Sequence, residues 1–355
     1  MKRAMIAMSG GVDSSVAAYL MKEAGYDCMG VTMKLYENMN QVPAEKSCCS
    51  VEDIEDAKNI CARLGMLYQV ADFQADFQHC VVDRFISCYE HGATPNPCID
   101  CNQYMKFDKL YEIAMEKGFD YVVTGHYAQV SYDVSSGRYQ LRKGIDETKD
   151  QSYVLYMLSQ EELAHVQFPI GSYCKTQIRE IAEAQGFINA RKHDSQDICF
   201  IPDGDYTGFL EEAHGGPYPQ GNFVSTDGEI LGTHKGIIAY TVGQRKGLGI
   251  SSTEPYYVCE LRTDTNEVVL GRKADLERTA LEVSEFHWLS IAPPDTPIAC
   301  TAKIRYSHKG APAIATRNAD ESVSVRFQEP VRGVAKGQAC VLYQEDLVLG
   351  GGRIL

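Results

Sequence analysis

The chain predicts an α/β protein: a Rossmann-like parallel sheet with helices on both faces, then two small β-rich domains, the last a β-barrel. Three observations carry this expectation. Short apolar runs alternate with helix-period segments from Lys2 to Thr124. A Ser9-Gly10-Gly11-Val12-Asp13-Ser14 turn separates the first such run from the first helical one. Beyond Asp203 glycines and prolines crowd the chain, long helical patterns stop, and short β-rich runs alternate with turn residues.

The elements follow in order. Lys2–Met8 reads as a strand and Ser14–Ala24 as a helix closed by Gly25. Cys28–Met33 is a second strand, Ile54–Leu64 a helix ended by Gly65, and Leu67–Val70 a third strand. Phe107–Lys117 reads as a helix closed by Gly118, and Tyr121–Thr124 as a fourth strand. In such sheets ligands bind beyond the carboxyl ends of the strands, where Ser9–Ser15, Met33 and Gly125-His126 fall. In the second half the strands are Tyr256–Leu261, Glu267–Leu270, Thr301–Arg305, Ser322–Phe327, Ala339–Tyr343 and Leu347–Leu349. A hinge near Arg272–Thr279 divides that half, so the expected domains are 1–203, 204–275 and 276–355. The stretches Tyr36–Ser50 and Gly204–Gly221 read as mobile loops that order on substrate binding.

Composition limits the function. With 355 residues, 44% of them hydrophobic, the chain can build two or three cores. No apolar run reaches membrane-spanning length, and Met1-Lys2-Arg3 leads straight into a strand rather than a signal peptide. Thirteen cysteines in that setting imply a reducing interior and a cytoplasmic protein. A net charge of −14 argues against a large nucleic-acid surface without excluding a local one. Arg142-Lys143, Arg191-Lys192-His193, Arg245-Lys246 and Arg272-Lys273 each read singly as solvated faces.

The Ser9–Ser15 turn has the chemistry of an anion cradle. Paired glycines let the backbone approach phosphates closely, and the following helix offers unpaired N–H groups and a positive dipole end. Ser9, Ser14 and Ser15 add hydroxyls, and Asp13 either caps the helix or helps hold Mg²⁺. No Walker sequence accompanies it. The turn resembles the SGGxDS loop of the PP-loop ATP-pyrophosphatases, whose N-terminal fold is adenine-nucleotide α-hydrolase-like. That resemblance implies ATP cleaved between its α and β phosphates.

Most of the cysteines (Cys28, Cys61, Cys80, Cys88, Cys259, Cys300 and Cys340) lie in apolar or periodic settings and read as small core residues. Cys98 and Cys101 differ. Two prolines lead into them, and a helix is expected just after, which puts Cys101 near a helix N-terminus and favours its thiolate. Cys199 stands in Asp194-Ser-Gln-Asp-Ile-Cys-Phe, at the edge of the first domain. Three such cysteines fall one ligand short of a structural zinc site. They suit either an iron–sulfur cluster with one open iron or a metal-free nucleophile and sulfur carrier.

Taken together, Ser9–Ser15, the Thr94–Phe107 segment, Gly125-His126-Tyr127-Ala128, Asp150-Gln151-Ser152-Tyr153, Asp194–Phe200, Tyr240–Arg245 and Arg305-Tyr306 resemble the tRNA-specific 2-thiouridylase family over essentially the whole chain. The resemblance implies ATP-dependent 2-thiolation of the wobble uridine. It places nucleotide on Ala7, Met8, Ser9, Gly10, Gly11, Val12, Asp13, Ser14, Met33 and Gly125, with Mg²⁺. It places the target base against Asn96, Pro97 and Cys98, and tRNA against His126, Lys149, Asp150, Gln151, Arg305, Tyr306 and Gln338. It makes Cys101 the nucleophile and Cys199 the persulfide carrier. The partners implied are tRNAs of the Lys, Glu and Gln type and a sulfur donor such as a cysteine desulfurase or relay protein. One position departs from the family: Cys98 stands where well-studied members carry an acid–base Asp. The alternative to a persulfide is therefore a [4Fe-4S] cluster on Cys98, Cys101 and Cys199. From another class, a PP-loop small-molecule synthetase would have no use for paired reactive thiols, and an RNA- or cluster-binding scaffold no use for the loop.

Overall fold

The structure, a computed structural model, describes residues 1–36, 51–192 and 198–355. The chain starts with β1 (Arg3–Ala7), β2 (Asp27–Lys34), β3 (Leu67–Asp72) and β4 (Tyr121–Val123). A hairpin, β5 (Ala128–Asp133) and β6 (Arg138–Lys143), and a short β7 (Val166–Gln167) follow. β1–β4 and β7 form one parallel sheet in the order β3-β2-β1-β4-β7. Ala4, Met5 and Ile6 of β1 are wholly buried, as a central strand covered on both faces requires. On one face Val16, Ala17 and Met21 of helix α1 (Val12–Glu23) share a core with Ile60 and Cys61 of α2 (Val51–Arg63). The sheet grows from β1 first toward β3 and then, on the other side, through β4, so its switch point lies between β1 and β4. Ser9–Ser15 and Gly125 leave the sheet there.

A four-stranded sheet follows, β8 (Gly221–Ser225), β9 (Ile230–His234), β10 (Tyr257–Arg262) and β11 (Glu267–Gly271), in the order β10-β11-β8-β9. The last six strands are β12 (Glu277–Trp288), β13 (Ile298–Lys303), β14 (Ala311–Arg317), β15 (Val323–Arg332), β16 (Ala339–Gln344) and β17 (Leu347–Ile354). They close into a barrel through the β12–β17 pairing. The expected fold class is thus present. The β5–β6 hairpin lies against the barrel edge: Leu347 opposes Arg142, and the Lys143 amide donates to the Asp346 carbonyl at 2.9 Å. Phe107, Leu141 and Tyr153 of the first half share one core with Val341, Tyr343 and Val348 of the barrel.

Strands β5, β6, β8, β9, β12 and β14 and the helices Asp83–Glu90 and Lys175–Ala184 are among the elements not anticipated from sequence, and two segments differ from expectation. The helix read over Phe107–Lys117 begins ten residues earlier: Pro97–Asp100, a π-helical Cys101–Lys109 and Leu110–Glu116 run on from one another. Pro97 at the first helical position was the signal, and the π-helical stretch breaks the 3.6-residue period beyond it. Within Gly204–Gly221, read as a loop, a helix spans Tyr206–His214, capped by the Asp205 carboxylate and ended by Gly215 at φ 82°. Tyr206 stacks on Tyr89, and Phe209 packs on Phe85 and Phe200. Cys48-Cys49 and most of Tyr36–Ser50 lie outside the described residues. No described helix is long and apolar enough to cross a membrane.

Candidate active site

The loop after β1 is fixed by its own backbone and by its neighbours. Ser14 and Ser15 hydroxyls both donate to the Gly11 carbonyl at 3.0 Å, and the Ser9 amide donates to Ser14 Oγ at 3.3 Å. Gly11 occupies the N-cap of α1 with no side-chain cap, so the first amides of the helix are not taken by a capping side chain. Gly10 sits at φ 74°, and a Cβ there would lie 2.5 Å from the Asp53 carbonyl oxygen. Ala7, Met8 and Val12 are buried, leaving mainly backbone for a ligand, whereas Ser9 is exposed. Met33 packs in one apolar cluster with Ala7. Gly125 faces the same turn: a Cβ would meet the Asp13 carbonyl carbon and the Ser14 nitrogen, each at 2.8 Å.

Asp13 does not cap the helix. Both its oxygens accept from Lys175 Nζ at 2.8 Å, and Oδ1 also accepts from the Tyr127 hydroxyl at 2.7 Å. Lys175 opens the helix Lys175–Ala184, and Tyr127 follows β4, so two distant segments fix one loop carboxylate. Asn189, nearly inaccessible, donates to the Gly10 carbonyl at 2.8 Å and to Ser15 Oγ at 2.9 Å. On the Asp53 side, Lys192 Nζ donates to Asp53 at 2.7 Å and Asp56 at 2.9 Å. Burial would lower the Lys192 pKa, but these carboxylates outweigh it and hold the ammonium above its usual range. The sequence reading missed Lys175 and Asn189, which stand in no recognisable motif, and read Lys192 as part of a solvated basic face, whereas it pairs with Asp53 and Asp56; Tyr127 lay in a motif, two residues after Gly125.

The Cys98-x-x-Cys101 turn is approached through extended Asn96, with Pro97 as first helical residue. Cys98 therefore lies in the first turn and is exposed, whereas Cys101 lies one turn further in and is partly covered. Cys101 is thus not the helix N-terminal residue that the expected dipole argument made it. Cys101 and Cys199 both pack against the cluster that contains Ala7 and Met33. Cys28 and Cys61 are core thiols, which burial pushes up to about 11 and about 12. Among the described residues no three His, Cys, Asp or Glu side chains are placed to hold a metal ion, the Cys98, Cys101 and Cys199 set included. As placed, Cys98, Cys101 and Cys199 do not form a set that fits a cluster.

The expected tRNA contacts divide. Arg305 and Tyr306 are exposed on the barrel: Arg305 Nη1 donates to the Arg332 carbonyl at 3.1 Å and Tyr306 OH to the Asp150 carbonyl at 3.3 Å. Burial pushes the Tyr306 hydroxyl up, with Asp150 and the Cys98 thiol adding, so Tyr306 stands near the Cys98 turn. Lys303, half-buried, lies 5.6 to 5.9 Å from the Tyr153, Tyr306 and Tyr343 ring centres, and burial lowers its pKa. Lys149 is half-buried. His126 is buried between Phe107 and Phe168 and shares a 2.7 Å hydrogen bond with Thr124, and burial pushes its pKa well down. Asp150 accepts from Gly144 N at 3.2 Å and Ser152 N at 3.1 Å, and Gln151 accepts from Tyr127 N at 3.0 Å. Gln338 donates to the Thr94 and Pro95 carbonyls at 3.0 and 3.1 Å. In this form His126 and Asp150 offer little surface to RNA; their side chains hold the strand ends and loops beside the site.

Family models match the chain in three parts: a tRNA methyl transferase HUP domain over residues 2–203, a tRNA methyl transferase PRC-barrel domain over 207–272 and an aminomethyltransferase β-barrel domain over 278–354. The chain is 46% identical over 353 residues to a protein of Clostridioides difficile named tRNA-specific 2-thiouridylase MnmA, covering 99% of this chain and 98% of that one. Proteins of the same name from Lachnoclostridium phytofermentans and Carboxydothermus hydrogenoformans are each 44% identical, covering 100% and 99% of this chain and 100% and 97% of their own.

Proposed function

Because the chain belongs to the tRNA-specific 2-thiouridylase MnmA family, we propose that it thiolates C2 of the wobble uridine of tRNA at the expense of ATP. The family-model names speak of methyl transfer, whereas the named relatives speak of thiolation. The observation that favours thiolation is the site: two thiols, Cys101 and Cys199, border the same apolar cluster as Ala7, which ends the strand that leads into the phosphate-cradling turn, and Met33 of the neighbouring strand. Methyl transfer has no need of that pairing.

The uracil C2 carbonyl is amide-like and resists attack by sulfur. In the proposed sequence its oxygen attacks the α-phosphorus of ATP and pyrophosphate leaves. The Gly10–Ser14 amides at the start of α1 and the exposed Ser9 hydroxyl bind the departing phosphates, with Lys175 beside Asp13. Asp13, its side chain 28% exposed, is the loop carboxylate that would hold Mg²⁺ once Lys175 turned from it to the phosphates, and the ion would then neutralise phosphate charge. The terminal sulfur of a Cys199 persulfide then adds at C2, loses its proton, and AMP departs with the C2 oxygen. The Cys101 thiolate attacks Cys199 Sγ; the S–S bond to the transferred sulfur breaks, its electron pair completes the C2 thiocarbonyl, and a Cys101–Cys199 disulfide remains. An external dithiol reduces that disulfide, and a donor protein or small persulfide reloads Cys199. Asn96, Pro97 and Cys98 lie at the turn where a splayed base would stack, with Tyr306 across from it.

The test is direct. Protein, Mg²⁺–ATP, a glutathione persulfide donor and a tRNA transcript bearing the wobble uridine are incubated, and digested nucleosides are read by mass spectrometry. The proposal requires 2-thiouridine together with tRNA-dependent AMP and pyrophosphate. AMP formation that depends on a small molecule instead, with no thiolated nucleoside, would return the chain to the small-molecule synthetase reading.

A further inference from the structure

The barrel grips the Cys98–Cys101 turn from both ends. On the approach side, the Thr94 amide donates to the Lys336 carbonyl at 2.8 Å, and Gln338 donates to the Thr94 and Pro95 carbonyls. Gly337 between them sits at φ 85°, and a Cβ would come 2.9 Å from that of Ala93, so the two backbones touch. On the far side stands Asp100, inside the Cys-x-x-Cys and with its side chain only 4% exposed. Its Oδ1 accepts from Arg353 Nη2 of β17 at 2.8 Å, with Arg84 Nε at 3.7 Å. Arg353 Nε in turn faces Glu285 at 3.4 Å. Glu285 occupies a break in the β12–β17 register and holds φ 49°, a left-handed conformation unfavourable to Glu. A strained residue, a barrel-end arginine and a buried aspartate thus form one chain of charges ending beside Cys101.

We propose that the Glu285–Arg353–Asp100 chain makes the barrel a positioning device for the nucleophile, with Arg353 and Asp100 as positioning residues. A buried ion pair adds little stability over apolar residues of the same shape, but it fixes direction, because any turn of the Cys98–Cys101 segment must part the pair. Misplacing an attacking atom by about 1 Å costs on the order of 100-fold in rate. Barrel docking and nucleophile alignment are then one mechanical unit: RNA that shifts the barrel shifts Asp100 with it. The inference rests on the reading of Cys101 as nucleophile.

The experiment compares Arg353→Met, Arg353→Lys, Asp100→Asn and the Asp100→Asn/Arg353→Met double variant. Three quantities are read: thiolation kcat and KM for tRNA, the alkylation rate of Cys101 by iodoacetamide from peptide mass mapping, and Tm. Arg353→Met is expected to lower kcat by about 100-fold with KM for tRNA within twofold, and to change Cys101 alkylation several-fold. Arg353→Lys recovers part of kcat. The double variant removes both partners of the short pair and leaves only Arg84, its side chain 39% exposed, without a carboxylate, so it regains Tm while staying slow. If kcat returns with Tm in the double variant, the pair is merely structural and the proposal fails. If Arg353→Met raises KM and spares kcat, Arg353 is an RNA contact and the proposal fails as well. Should wild type not thiolate tRNA at all, the function reading fails, while the alkylation contrast still decides the positioning of Cys101.

Discussion

Substituting Gly125 by alanine adds one methyl group at the switch point, and its consequence follows from distances. The new Cβ would stand 2.8 Å from both the Asp13 carbonyl carbon and the Ser14 nitrogen, where ordinary contact begins at 3.4 Å. Backbone must therefore retreat by about 0.6 Å, a displacement that overpacked sites accommodate at about 1–3 kcal/mol. The start of α1 cannot swing away freely, since Lys175 and Tyr127 hold Asp13 and Asn189 holds Gly10 and Ser15. If the nucleotide needs the undisplaced turn, the same strain weakens binding by roughly 10- to 100-fold, at about 1.4 kcal/mol per decade. Isothermal titration with a non-hydrolysable ATP analogue and Mg²⁺ measures this, with thermal melting beside it. A Tm drop of about 2–4 °C per kcal/mol is expected for a domain of this size. Unchanged affinity and Tm would refute the juxtaposition of Gly125 and the loop. A lower Tm with full affinity would refute the loop as the nucleotide cradle.

Two other predictions concern charge. Lys175→Met leaves Asp13 without its cation; with the Asp13 side chain 28% exposed, the loss is about 2 kcal/mol rather than the larger cost of a fully buried pair. Pyrophosphate release should fall with it, and a Tm and turnover equal to wild type would contradict the role. Asp108 lies in a recess of about 370 Å³ with Glu112, Glu161 and Glu162. Burial first, then Glu162, pushes its carboxyl up from 3.8 to about 6. The folded state thus binds a proton more readily than the unfolded chain, and stability falls as pH rises from about 4 to about 6. Asp108→Asn removes that penalty: stability should rise by about 1 kcal/mol at pH 8 after allowing for solvent screening, raising Tm there, and not at pH 3.5. Melts at the two pH values decide it, and an equal shift at both would overturn the assignment.

The first strand, the turn and α1 were legible because each is local: an apolar run, paired glycines, then a helix closed by Gly25. That the turn lies beyond the carboxyl end of a parallel strand was legible from strand–helix alternation; its place at the switch point needed the strand order. Lys175 and Asn189 were not, because what makes them functional is contact with Asp13 and Gly10 across more than 160 residues, and an isolated Lys or Asn carries no periodic signal. Helix Pro97–Asp100 was placed late because Cys101–Lys109 continues it in a π-helical register that hides the apolar face. The helix Tyr206–His214 was hidden by flanking glycines, although Tyr206, Phe209 and Leu210 are spaced for one face. The β5–β6 hairpin on the barrel edge, which joins the two halves into one core, depends on a pairing that no local pattern announces.

In the proposed reaction sulfur passes between two thiols while ATP activates one base. A single turnover with wobble-uridine tRNA, Mg²⁺–ATP and persulfide-loaded protein, quenched by alkylation without reductant and mapped by peptide mass spectrometry, examines that step itself. A Cys101–Cys199 disulfide formed in proportion to 2-thiouridine, and only with ATP and tRNA present, is the predicted result. Full yield of 2-thiouridine with both cysteines recovered as alkylated thiols, or from a Cys101→Ser/Cys199→Ser variant, would contradict it.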